Sequence, residues 1–281
     1  MNALKLRMIG FIFCLSVSLM LAGCSSTELF TSSRPTQIDS AELQLQAPSA
    51  GAPIAIISTS MGDIRVVLFP EQAPMAVENF TTLARQGYFN GTIFHRVERD
   101  FAIQGGDATG TGKSGASIWN NAAYPNETSA LLRHYSGALA TANSTDGSVS
   151  NYSQFYIVST PADSISASSE KTLSEAGLSE SAISSYRQVG GAPYLDGLDT
   201  VFGQVYSGMD VVDAINQVKT DDDKRPVEPV EILQITISTY DPAAEATSDP
   251  ASSASSASSA ASVPASGSVS ASASTAASAA A

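Results

Sequence analysis

The chain has 281 residues and carries 27 acidic against 14 basic side chains, a formal net charge of −13. That excess excludes nucleic acid and anionic lipid surfaces as charge-matched partners, since both repel a strongly negative chain. Cys14 and Cys24 are the two cysteines; the first falls in a removable leader, which leaves no disulfide, thiolate nucleophile or cysteine-based metal site to expect.

Residues 1–23 read as a lipoprotein signal peptide. Lys5 and Arg7 precede an apolar run from Met8 to Leu21, and Ala22 and Gly23 place small residues before Cys24. The run is shorter than the roughly 20 residues a spanning helix needs, which weakens the reading as a transmembrane anchor. Cys24 after the cut resembles a bacterial lipobox, so its thiol is the expected lipidation site. It would anchor the chain on the extracytoplasmic face of the cell membrane, with outer-membrane anchoring also open. Residues 24–50 are then the lipidated cysteine and a flexible tether rich in Ser, Thr, Gln, Ala and Pro, reaching on the order of 28 Å as a coil.

Two strand-type runs, IAIIST and DIRVVLF, flank Ser60-Met61-Gly62 and predict a hairpin over 53–69. Pro74 in a first turn, apolar residues Val77, Phe80, Leu83 and Ala84 at helical spacing, and Gly87 as a stop predict a helix over 73–86. Next come Thr92-Ile93-Phe94 and Phe101-Ala102-Ile103, read as a hairpin-like pair with Arg96 between them. Alternation puts Phe101 with Ile103 on one face and Ala102 with Gln104 on the other, so Arg96 and Gln104 can meet beside an aromatic wall.

Residues 105–126 are dense in Gly, Thr, Ser and Asn and suit a groove wall; their GTGKSG lacks Walker spacing, and Trp119 reads as a local packing anchor. Strand patterns return over 137–143 and 154–159. His95 and His134, the two histidines, read as structural hydrogen-bonding residues. Residues 161–192 are Ser/Glu/Ala-rich, with short helices suggested by Leu173, Ala176, Ile183 and Tyr186; they form either surface decoration or a specificity element. A strand over 195–206, a helix over 208–218 and a last strand over 230–240 complete the pattern. Residues 241–281 are a Ser/Ala-rich tail with too few large apolar groups to offset ordering, and are expected to be disordered, as a wall-spanning spacer or an inert tail.

Five pieces in order, YFNGTIFHRVERDFAIQGGD, GALATAN, SQFYIV, YLDG and TVFGQV, make residues 51–240 resemble the cyclophilin-type peptidyl-prolyl cis-trans isomerases. The resemblance implies a mainly β domain, a closed eight-stranded antiparallel barrel capped by two helices, with 161–192 inserted where compact members carry a short loop. It implies rotation about Xaa-Pro bonds without a covalent intermediate, with no metal and no cofactor. Expected partners are proline-containing segments of secreted or envelope proteins, met by a monomer.

By the same resemblance Arg96 and Gln104 are the catalytic pair, with Gln104 orienting Arg96 or the substrate carbonyl. Phe101, Ala102, Tyr156 and Leu195 form the proline pocket, and Ala142, Asn143 and Gln154 contact the peptide. Four positions depart from the commonest pattern: Ala102 stands for methionine, Tyr156 for phenylalanine, Tyr194 for tryptophan and Asp199 for histidine. Tyr194 removes an indole donor associated with cyclosporin binding and implies weak drug sensitivity. Asp199 puts a carboxylate at the pocket rim, to pair with Arg96 and dull it or to favour basic substrate residues. A non-catalytic module of the same fold that binds proline-containing segments is the alternative function.

Overall fold

Apolar alternation sets the first hairpin. β1 (Pro53–Thr59) and β2 (Gly62–Leu68) pair antiparallel from Ile54 opposite Val67 to Thr59 opposite Gly62, which takes the positive φ of 132° at the turn. The structure is a computed structural model that describes residues 37–143 and 151–248. Cys24, the signal peptide and the tail beyond Ser248 lie outside the described residues.

The remaining strands are β3 (Thr92–Ile93), β4 (Arg96–Glu98), β5 (Ala102–Gly105), β6 (Ala138–Thr141), β7 (Phe155–Val158), β8 (Val201–Ser207) and β9 (Glu231–Thr239). They form one nine-stranded sheet in the order β3-β9-β1-β2-β8-β6-β7-β5-β4, with every ladder antiparallel. This corrects the expected closed eight-stranded barrel: the sheet is curled and open. Its two edge strands, β3 and β4, are separated in the chain only by Phe94 and His95, so they run on from one another and cannot lie side by side to close a ladder. The edge at β4 is covered instead by a loop, with Val97 N–H donating to the Lys224 carbonyl at 2.8 Å. That contact blunts an otherwise open strand edge.

The hairpin expected between 92–94 and 101–103 is also corrected. β3 pairs with β9, Thr92 opposite Ile232, while β5 takes β4 as partner, with Arg96 opposite Gln104 and Val97 opposite Ile103. Phe101 lies in the turn before β5, its N–H donating to the Glu98 carbonyl at 3.1 Å. It therefore joins the cluster of Ala102, and Ile103 alone faces the interior.

α1 (Pro74–Arg85) and α4 (Met209–Asn216) cap the curled sheet as predicted. α1 buries Ala76, Val77, Phe80, Leu83 and Ala84 in the same core that receives Met209, Val212 and Ile215 of α4. The insertion contributes α2 (Ala167–Glu175) and α3 (Glu180–Val189). The first residues of the tail are helical, not disordered: α5 (Pro242–Ser248) is tied down where Glu245 accepts from Arg65 Nη1 at 2.8 Å and from the Tyr206 hydroxyl at 3.1 Å.

The tether assignment is likewise too long. A 3-10 turn over Leu43–Leu45 buries Gln44 and Leu45. Gln44 Nε2 donates to the Arg133 carbonyl at 2.8 Å and to Gln204 Oε1 at 2.7 Å, and its Oε1 accepts from Arg133 N–H at 2.8 Å. A buried amide satisfied on both sides fixes this segment to the domain, because leaving it unpaired would cost about 1–3 kcal/mol per group.

Candidate active groove

The antiparallel register of β4 and β5 brings Arg96 and Gln104 together. Arg96 Nη1 donates to Gln104 Oε1 at 3.4 Å, and its guanidinium carbon stands 6.0 Å from the centre of the Phe101 ring. Alternation also puts Glu98 on the Arg96 side of β4, and the two are ion-paired with side chains 41% and 35% exposed. A pair this wet contributes about 0–1 kcal/mol, so it steadies the guanidinium without committing it.

Gln104 is itself held from behind. Its Nε2 donates to Gln154 Oε1 at 3.0 Å, and Gln154 Nε2 donates in turn to the carbonyls of Ser114 at 2.8 Å and Gly112 at 3.1 Å. This chain of amides runs from Arg96 into the glycine-rich segment 107–114, which is built around one buried carboxylate. Asp107 accepts from Thr109 N–H at 2.7 Å, Gly112 N–H at 2.7 Å and Lys113 N–H at 3.1 Å, and from the Thr109 and Thr111 hydroxyls. Burial alone would raise its pKa, but the bonds from the Thr109 hydroxyl and the amides of Thr109, Ser114 and Gly112 outweigh it and hold the carboxyl below its usual range.

A carboxyl depressed in the folded state contributes stability that is complete above its unfolded value, about 3.9, and is lost as pH falls through the lower folded value. Asp107→Asn keeps the shape and removes the acceptor charge. It is expected to cost about 2 kcal/mol at neutral pH and about 5 °C in Tm by calorimetry, and to remove this acid-side loss. An unchanged Tm would show that the loop does not depend on Asp107.

The groove has a volume of about 870 Å³ and is lined by Arg96, Phe101, Gln104, Ala142, Asn143, Tyr156, Leu195 and Asp199. Three expected residues stand outside the lining. Ala102 is buried in the apolar cluster behind it, Gln154 is behind Gln104, and Tyr194 is 66% exposed, stacked on Phe101 with centroids 6.3 Å apart. Asp199 accepts from the Tyr156 hydroxyl at 2.8 Å and from Asn143 Nδ2, and Arg96 has Glu98 as its ion-pair partner instead. Burial first, then Asp199, pushes the Tyr156 phenol far above its ordinary value, so it remains a donor.

The groove also takes in Thr111, Gly112 and Lys113 from the segment expected to form its wall, together with His95, Asp223 and Arg225, which the sequence reading did not place there. His95 is packed beneath Gly112, where an added Cβ would stand 3.0 Å from the imidazole Cδ2. Burial lowers its pKa despite the pull of Asp107, which favours a neutral ring. Among the described residues no group of three or more His, Cys, Asp or Glu side chains could hold a metal ion.

Residues 54–237 match the family model described as cyclophilin type peptidyl-prolyl cis-trans isomerase. The chain belongs to this cyclophilin family. A Schizosaccharomyces pombe protein named peptidyl-prolyl cis-trans isomerase 9 is 40% identical over 184 residues, 65% of this chain and 25% of that protein. A second isomerase of the same yeast is 37% identical over 63% of this chain and 94% of its own length. The chain thus spans about a quarter of one relative and nearly all of another. A crystal structure of a Cryptosporidium parvum cyclophilin-type isomerase, in the presence of the dipeptide Ala-Pro, is similar with a TM-score of 0.53 and 28% identity, covering 66% of this chain and 99% of that one. The cyclophilin domain is therefore a peptidyl-prolyl isomerase domain, of an enzyme class that acts on Xaa-Pro bonds, and its fold is shared with an enzyme crystallised beside a proline dipeptide.

Proposed function

We propose that this chain accelerates rotation about Xaa-Pro bonds of exported proteins in the groove around Arg96. The observation that carries the reading is a guanidinium braced by Gln104 at the edge of an apolar wall made by Phe101, Tyr156 and Leu195.

The planar amide resists rotation by about 18–20 kcal/mol. As it twists, the proline nitrogen becomes pyramidal and gains a lone pair that the planar amide lacks. Arg96 donates to that nitrogen in the twisted state only, so its interaction lowers the barrier without trapping the substrate. The apolar wall holds the ring out of water, while Ala142 and Asn143 grip the flanking peptide so that one end stays fixed as the other turns. A gain of about 10⁵ needs roughly 7 kcal/mol, of which an oriented donor in a dry site supplies about 3 kcal/mol and desolvation and positioning the rest. Because Tyr156 and Asn143 occupy Asp199, its carboxylate shapes the rim without quenching Arg96.

Exchange spectroscopy on an Xaa-Pro peptide is the test. Cis and trans resonances should exchange faster with catalytic amounts of the protein. Binding without faster exchange would make the chain a proline-binding module instead.

The placement outside the cytoplasm rests on the leader motif. Under this reading residues 1–23 are removed, Cys24 carries the acyl chains, and the monomeric isomerase domain meets clients after translocation. Labelled palmitate should enter the wild-type chain in a lipoprotein-processing bacterial host and be absent from Cys24→Ser. Equal labelling of both would remove the anchor.

A further inference from the structure

We propose that the 161–192 insertion braces the wall of the substrate groove, with Tyr186 of α3 as the positioning residue that fixes Asp196 and through it Leu195. The inference rests on the groove reading above. The insertion is anchored where it re-enters the sheet: a Cβ on Gly190 would stand 2.3 Å from the Thr160 carbonyl oxygen, and one on Gly191 would stand 2.3 Å from that of His134. Both glycines have positive φ, 84° and 136°, so the chain returns against neighbouring backbone with no room for a side chain.

α3 is capped by Ser179, whose side chain accepts from the Ala182 N–H, and turns Ile183, Tyr186 and Val189 inward. Tyr186 is fully buried, with its ring 4.5 Å from that of Tyr135. Its hydroxyl lies 2.8 Å from each oxygen of Asp196. The same carboxylate accepts from His134 N–H at 2.8 Å, lies 3.2 Å from His134 Nδ1, and reaches Arg133 Nη1 at 3.4 Å. One side chain thus ties together the lead into β6, the insertion and the 3-10 turn Pro193–Leu195.

That carboxylate stands behind two sides of the groove. Leu195, its chain neighbour, lines the groove, and the His134 ring stacks on Tyr156 with centroids 6.2 Å apart and planes 14° from parallel. Burial keeps the Tyr186 hydroxyl protonated and able to donate. Surface decoration needs no buried hydroxyl aimed at a carboxylate one residue from the substrate wall; a brace does.

The test is Tyr186→Phe in the full chain, which keeps the ring packed against Tyr135 and removes only the donor. KM for an Xaa-Pro peptide is expected to rise about fivefold with kcat within about twofold, the scale of one hydrogen bond to a charged acceptor partly transmitted to binding. Asp196→Asn should raise KM similarly, and the double variant should be no worse than Asp196→Asn alone, because both changes break the same link. An unchanged KM in both single variants, whatever happens to Tm, overturns the brace and leaves Tyr186 a stability residue. Arg96→Ala measured alongside separates the two ideas: kcat lost there with KM unchanged in both single variants overturns the brace alone, whereas kcat retained in Arg96→Ala overturns the groove assignment itself.

Discussion

Arg96→Ala is expected to lower kcat for Xaa-Pro exchange by about 100-fold or more while KM changes little. The guanidinium meets the proline nitrogen only after the amide has twisted, so its removal is felt in the transition state and not in the bound ground state. The loss of one preorganised donor from a water-poor site is typically about 10²–10³ in kcat. Arg96→Lys should recover little of it. A lysine ammonium is a point charge on a flexible stem, whereas the planar guanidinium can keep Nη1 on Gln104 and turn other N–H groups toward the substrate. The rate should also show no dependence on pH traceable to this group, since arginine stays charged throughout. The nearby titratable groups agree: burial lowers the His95 pKa, which favours the neutral ring, and raises that of Tyr156, which favours the protonated phenol. Line-shape analysis of both proline isomers against peptide concentration separates kcat from KM. A variant that keeps more than about a third of wild-type kcat would move the catalytic role elsewhere in the groove.

Local patterns were legible where the sequence carried a period. The 53–69 hairpin, α1, α4 and β9 follow from alternation or helical spacing with a clear start and stop, whereas Arg96 and Gln104 meet through the β4–β5 register and not through the pairing of 92–94 with 101–103 that the sequence suggested. What was not legible depends on contacts distant in the chain. Strand-type residues at 92–94 say nothing of whether their partner is β5 or β9, and the choice of β9 both moves the hairpin to 96–105 and leaves the sheet open. No local pattern sets Asp223 and Arg225 in the groove; the bond from Val97 to the Lys224 carbonyl draws their turn to the sheet edge and so into it. Gln44 gave no signal among polar neighbours, because its partners Arg133 and Gln204 are far along the chain. Asp199 lies in the groove lining, and its commitment to Tyr156 and Asn143 rather than Arg96 is a matter of geometry that spacing does not encode.

Phe155→Ala is expected to cost about 3–5 kcal/mol of stability and to lower Tm by about 10 °C or more, although the residue touches no substrate. β7 reads Phe-Tyr-Ile-Val, and its alternation sends Phe155 and Ile157 into the main core while Tyr156 and Val158 face the cluster behind the groove. Phe155 is fully buried, with Phe80, Phe89 and Phe94 around it at centroid distances of 5.6, 5.8 and 6.4 Å. Two of those rings come from α1 and the loop after it, so the phenyl group holds the helix cap to the sheet, and no small side chain can refill that space. Tyr156→Phe, one residue along, is the control: it removes a hydroxyl from Asp199 at the groove and should leave Tm within a few degrees. If the two substitutions lowered Tm equally, the inward ring would not be the anchor. A large loss at 155 beside a small one at 156 would show one strand dividing its work, with the core position fixing the sheet on which its neighbour presents the groove.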